Sequence, residues 1–218
     1  MESSVDFADR LEKTYSGAVF DVLRKRGYSS QVLPKSIRPL LPDRKLAGPI
    51  YPVSGHVEKN LDPHESLLRW TEFLSKCPAD HVIVTQPEDS QHSHMGELSA
   101  ETLQFRGIRG YITDGGCRDT EFIRKIRFPV YCRYFTPIDI VGSWCPQTFN
   151  EPIQIGEVTL TPGDFVLADF DGIVAIPAAL VPEVVEEVEA VLQTESRVRR
   201  AILEGVDPKE AYLKYGKF

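Results

Sequence analysis

Between His81 and Phe135 the chain changes texture at short, regular intervals. "HVIVTQ" (81–86) reads as a strand, "GELSAETLQFRG" (96–107) as a helix, "GYITDGG" as a strand, "RDTEFIRKI" as a helix and "PVYCRYF" as a strand. Strands separated by single helices pair in parallel, because a parallel pair needs a crossover connection and a helix supplies it. The alternation therefore predicts an α/β fold. In such folds ligands gather at the carboxyl ends of the strands, where helix amino termini point.

The flanks are read around this block. Phe7, Leu11, Tyr15, Val19, Val22 and Leu23 recur at helical spacing and Gly27 is a stop, so a helix is predicted over 1–27. "VLPKSIRPLLPDRKLAGP" is Pro-rich and predicts an extended connection. Pro49–His56 reads as a strand and "HESLLRWTEFLSKC" as a helix. After Trp144 short β runs broken by Gly, Pro and Asp predict antiparallel hairpins. A final helix is predicted from Val181 to about Glu204. With no repeat or linker in view, the expectation is a single domain over 1–218.

Composition narrows the function classes. Hydrophobic residues make up 42% of the 218 and charged residues 26%, enough for a packed core. The net charge of −7 argues against a nucleic-acid surface. No apolar run is long enough to cross a membrane, and "MESSVDFADRLEKTY" is too charged for a signal peptide. Cys77, Cys117, Cys132 and Cys145 form no CxxC pair and read as free buried thiols of a cytoplasmic protein. GxGxxG, GxxxxGK[ST] and GxSxG are absent, which removes support for nucleotide binding and for a hydrolase elbow.

Two predicted helix starts fall at neighbouring strand ends. One lies at Gly96, the other at Arg118, one helix and one strand further on. Each offers unpaired backbone N–H groups and a partial positive charge suited to a small carboxylate. Arg118 adds a planar fork for an oxyanion, and Asp119 a hard oxygen suited to Mg²⁺ or Mn²⁺. Gly115 and Gly116 would let the backbone turn tightly and approach a ligand. The plainer alternative makes Asp119 a helix cap and Arg118 a surface charge.

"GELSAETLQFRGIRGYITDGGCRD" followed by "FPVYCRYFTPID" resembles the RraA-like proteins, which include class II 4-hydroxy-4-methyl-2-oxoglutarate / 4-carboxy-4-hydroxy-2-oxoadipate aldolases. "YSGAVFDVLRKRG" and "PGDFVLADFDGIVAIP" resemble other segments of that family. The resemblance implies a layered α/β/β fold of the swivelling, phosphohistidine-domain-like kind with a mixed central β region. It also implies a homotrimer or hexamer with sites between subunits, and a divalent metal, Mg²⁺ or Mn²⁺. By position, Arg118 would hold the pyruvate or enolate oxygens and Asp119 would ligate the metal. Glu97 would orient bound water, and the amides at Gly96, Glu97 and Leu98 would take the pyruvate carboxylate. Glu195 lies on the apolar stripe of the last helix, and the family places an acid from this helix near the metal of an adjacent subunit. The alternative for Glu195 is a structural pairing with a cation.

The implied activity is retro-aldol cleavage of a 4-hydroxy-2-oxo diacid to pyruvate and a second oxo acid, with oxaloacetate decarboxylation through the same enolate. A non-catalytic regulator that docks on a ribonuclease, and a lyase or hydratase on another 2-oxo acid, are the competing readings. His92 and His94 depart from the family pattern, as extra ligands or as exposed loop residues. Glu121 is the nearest candidate for a further acid after Arg-Asp.

Overall fold

A computed structural model describes residues 3–218, so the first two residues of the predicted 1–27 helix lie outside the described residues. That segment forms two helices, α1 (Ser4–Glu12) and α2 (Ser16–Lys25). The break has a physical cause. Tyr15 is extended, at φ −148° and ψ 155°. The buried Asp169 carboxylate then takes the Ser16 amide and hydroxyl, each at 2.7 Å. An unbroken helix would have to give up both bonds.

The Pro-rich connection holds the short β1 (Arg38–Pro39) and leads into β2 (Leu46–Val57). β2 starts earlier than predicted, because its Gly48-Pro49 step reads as a turn. Asp62 caps α3 (Pro63–Lys76) through the Glu65 amide, with proline at the first helical position. Then follow β3 (Val82–Gln86), α4 (Glu97–Phe105), β4 (Gly110–Thr113), β5 (Gly116–Cys117), α5 (Thr120–Ile126), β6 (Val130–Cys132) and β7 (Tyr134–Phe135). Past them come β8 (Trp144–Phe149), β9 (Ile153–Ile155), β10 (Val158–Leu160), β11 (Phe165–Ala168), β12 (Ile173–Ile176), α6 (Val181–Leu203) and α7 (Pro208–Tyr215).

The main sheet runs β1-β6-β4-β3-β2-β11-β12, with β8 also paired to β2. Its centre, β6-β4-β3-β2, is parallel, as the alternation predicts. β1, β8, β11 and β12 join antiparallel, which makes the sheet mixed. Side chains alternate across it. Ile83, Tyr111 and Val130 meet Phe73, Leu103 and Ile123 of α3–α5. Val82, Val84, Ile112 and Tyr131 face Ile153, Ile155, Val158 and Leu160 of the β9–β10 hairpin. A third cluster packs α1, α2 and α6 over Phe165, Leu167 and Ile176. The result is the expected layered α/β/β arrangement. All four cysteines are free and buried.

Candidate active site

Two loops meet at the carboxyl ends of β3 and β4. Ser93 forms a parallel bridge to Gly116, His94 donates its amide to the Gly116 carbonyl at 2.8 Å, and Arg118 donates its amide to Met95 at 2.9 Å. This zipper sets the start of α4 against Arg118 and Asp119. The glycines serve closeness here rather than turning. A Cβ on Gly115 would lie 2.4 Å from His94 Nδ1, and neither Gly115 nor Gly116 has a positive φ. The left-handed residue is Asp119 itself, at φ 53° and ψ 32°, a conformation that a short polar side chain tolerates.

Asp119 makes no side-chain cap on its own helix, α5. Its Oδ2 instead accepts from the Glu97 amide at 3.1 Å, the first residue of α4, and sits 3.4 Å from Arg118 Nε. The plain cap reading is thus half right: Asp119 caps a helix, but the neighbouring one. Arg118 Nη1 donates to Asp139 Oδ2 at 3.0 Å, and Asp139 Oδ1 accepts the Val141 amide at 3.1 Å. These side chains are half-exposed, so their pairing is worth little in stability and is easily given up to a ligand. A methyl on Gly96 would press on Asp119 Oδ2 at 2.8 Å.

Gly96, Glu97, Leu98, Arg118, Asp119 and Asp139 line one cavity of about 480 Å³, together with Leu67, Trp70, Leu74, Ile140 and Val141. The first five are the residues that the sequence reading set at two neighbouring helix starts. The Leu98 side chain is 77% exposed at the rim of the cavity. Asp139 was missed. It lies in an irregular segment, and the only trace of it in the sequence is an acid following "TP".

Glu195 is not brought to this cavity within the chain. Its Oε2 accepts from the Tyr15 hydroxyl at 2.6 Å, its Oε1 lies 3.2 Å from Lys217 Nζ, and it lines a separate cavity with Val198 and Ile202. Burial, followed by the bond to Glu195, pushes the Tyr15 hydroxyl up to about 12. Glu121 pairs with Lys125 on α5, at 2.8 Å and away from the cavity. The histidines are not exposed loop residues. His92 Nδ1 bonds Asp89 at 2.8 Å. His94 is buried edge-on to Trp144, with Nε2 3.1 Å from Asp89 Oδ2 without a well-aligned hydrogen bond. Burial lowers the His94 pKa, against the pull of Asp89, so the ring is neutral. Cys117, next to Arg118, is held as a thiol by its hydrogen bond with Cys132 and by burial.

Among the described residues no three His, Cys, Asp or Glu side chains stand close enough to cage a metal. Mg²⁺ and Mn²⁺ need no cage: they keep several waters and accept one or two carboxylates plus substrate oxygens. Asp119, half-exposed with Oδ2 engaged by an amide, fits that mode through its other oxygen, with Glu97 and Asp139 lining the same cavity. The donor set does not fit a closed zinc site, which asks for four nitrogen or sulfur ligands.

Comparison with known proteins places the chain. The family profile described as RraA-like, Aldolase/RraA, matches residues 16–175. "Protein DlpA" of Legionella pneumophila is 29% identical over 203 residues, covering 92% of this chain and 32% of that protein; the chain spans about a third of its length. A protein of Halalkalibacterium halodurans bearing the name "Putative 4-hydroxy-4-methyl-2-oxoglutarate aldolase" is 24% identical, covering 98% of this chain and 96% of its own. The solved structure of Streptomyces coelicolor RraAS2, titled an unusual member of the RNase ES inhibitor RraA protein family, superposes with a TM-score of 0.79. It is 22% identical, with 91% of this chain and 98% of that one covered.

Proposed function

The chain belongs to the RraA-like family, and on that premise we propose that it is a divalent-metal-dependent lyase that cleaves 4-hydroxy-2-oxo acids to pyruvate and a second carbonyl compound. The observation that carries this reading is the meeting of Arg118, Asp119 and the start of α4 at one cavity. The family assignment adds the reaction class.

The Glu97 amide is held by Asp119 Oδ2, so the substrate carboxylate seats on the next amides of the first turn of α4, which have no partners within the helix. Arg118 exchanges part of its pairing with Asp139 for the C2 oxygen. Glu97 takes the proton of the C4 hydroxyl. C4 becomes a carbonyl, the C3–C4 bond breaks, and its electron pair moves into C2–C3, leaving negative charge on the C2 oxygen. The Arg118 guanidinium faces that charge, where preorganised electrostatics contribute most. Water protonates C3 to give pyruvate, and the proton held by Glu97 passes to the hydroxide left behind, which restores both the water and the Glu97 carboxylate. Asp119 would hold a Mg²⁺ or Mn²⁺ ion, which would supply positive charge to stabilise the developing enolate. Oxaloacetate decarboxylation passes through the same enolate. The working assembly is a homotrimer or hexamer. Glu195 can join a site only from a neighbouring copy and only after leaving Tyr15 and Lys217, so this reading assigns it no step.

The test is pyruvate release from 4-hydroxy-2-oxo acids in Mg²⁺ and after EDTA. Release should disappear with EDTA and return with metal, and Arg118→Ala should lower kcat by about 10²–10³-fold. Turnover indifferent to EDTA, or full activity in Arg118→Ala, rules the reading out.

A further inference from the structure

His94 has no part in the chemistry above, yet its ring sits where the two halves of the site are joined. One half is the segment that leads through Met95 into Gly96 and Glu97. The other leads through Cys117 into Arg118 and Asp119. The ring is fully buried and lies against the bare Cα of Gly115, where a Cβ would come within 2.4 Å of Nδ1. Gly116 holds His94 twice: its carbonyl accepts the His94 amide at 2.8 Å, and its own amide donates to His94 Nδ1 at 3.4 Å. On the opposite side of the ring Nε2 faces Asp89 Oδ2 at 3.1 Å. A neutral imidazole has one N–H and one bare nitrogen. The Gly116 amide makes Nδ1 the bare one and leaves the proton on Nε2, toward the Asp89 charge. Asp89 is fixed in turn by the Gln91 and His92 amides, at 3.1 and 2.9 Å. One nitrogen of the ring is thus tied to its own loop and the other to the facing segment.

We propose that His94 is a positioning residue of the site: by accepting the Gly116 amide, its ring holds the segment that delivers Arg118 and Asp119 against the segment that delivers Gly96 and Glu97. The inference rests on the enolate reading above and adds a residue that acts through Gly116 rather than on the substrate. It has a consequence in acid. A proton on Nδ1 turns that atom from acceptor into donor, so it opposes the Gly116 N–H instead of binding it. Burial resists that proton most; Asp89 favours it and His92 opposes it. Trp144 of β8, edge-on with ring centres 4.9 Å apart, brings no charge. Charging the ring therefore loosens the junction on which both halves of the site depend.

Two readings on the full chain with Mg²⁺ test this. The first needs no turnover: the ring ¹⁵N signals of His94 and the hydrogen exchange of the Gly116 and Arg118 amides are followed by NMR as the pH is lowered. The ring should carry its proton on Nε2 at neutral pH, and both amides should lose protection by about tenfold or more as Nδ1 takes up the second proton. The second reading is kcat/KM for pyruvate release, at a temperature where circular dichroism shows each protein folded. The wild type should show an acid limb below about pH 6.5 whose midpoint equals that of the ring. His94→Phe fills the space but leaves the Gly116 amide unpaired, and should lose about 10- to 100-fold at neutral pH, mainly in kcat. His94→Asn puts an oxygen near the place of Nδ1, and should recover most of that loss while lacking the limb. A ring protonated on Nδ1 at neutral pH, or amide protection that ignores the second proton, overturns the proposal. So does a limb that His94→Asn retains, or full activity in folded His94→Phe. A wild type that releases no pyruvate at any pH overturns the enolate reading and the positioning role with it, while the amide exchange still decides whether His94 clamps Gly116.

Discussion

Arg118 and Asp119 owe their position to small residues around them. A methyl on Gly96 would sit 2.8 Å from Asp119 Oδ2 and 3.3 Å from Arg118 Nε, both at mobile side-chain ends. Gly96 is extended, so alanine suits its backbone. Gly96→Ala should therefore fold with nearly unchanged Tm yet lose about 10-fold or more in kcat/KM, since misplacement of about 1 Å can cost 10². A large drop in Tm would show that the site chemistry is not what the glycine protects.

His94 gives a pH prediction. Its buried neutral form contributes stability that is complete above about pH 6.5 and declines below it, where the unfolded chain gains a proton that the fold refuses. Burial would raise Asp89, but the facing His94 ring and the bonds from His92 and Gln91 outweigh it and hold the carboxyl below its usual range. Its contribution is present above about pH 4 and is lost as the pH falls further. Tm should decline from about pH 6.5 downward. His94→Gln should flatten the upper part of that decline, at a cost of about 2 kcal/mol at neutral pH. Parallel Tm profiles for the two proteins contradict it. Arg118 and Asp119 were legible in the sequence because a Gly-Gly break and a charge pair are local signals. Asp139 and the burial of His94 were not, because both arise from packing between distant segments.

At the scale of elements, the parallel block was readable because each strand and helix there carries its own period and its own stops. The α1–α2 break was hidden because its cause lies far along the chain, in Asp169. Removing that carboxylate leaves the Ser16 amide and hydroxyl buried without a partner. Asp169→Ala should cost about 2–4 kcal/mol in chemical denaturation. A cost under about 0.5 kcal/mol would mean that Ser16 finds another acceptor. α7 was readable and passed over. Asp207 caps it through the Lys209 and Glu210 amides, Pro208 is its first residue, and Gly216 ends it at φ 67°. Its shortness, next to the long periodic stripe of α6, made it easy to miss.

At the scale of the molecule, the layered arrangement follows from sheet faces that alternate in sequence. Association between chains leaves no such mark in one chain. Leu98 and Phe105 of α4 are 77% and 94% exposed, beside the cavity and at the far end of its helix. In line with the proposed assembly, light scattering should give three or six times the 24.6 kDa chain mass. A monomer at micromolar concentration would count against sites shared between copies. None of the helices among the described residues is long and apolar enough to cross a membrane.

The central claim is that Arg118, Asp119 and the α4 amides together form the seat of a pyruvate enolate. A crystal structure with Mg²⁺ and oxalate, the planar mimic of that enolate, measures this directly. The account predicts the ion on Asp119, with one end of oxalate on the α4 amides and an oxygen within hydrogen-bond reach of Arg118. Oxalate and metal bound elsewhere, with Arg118 still paired to Asp139, would contradict it.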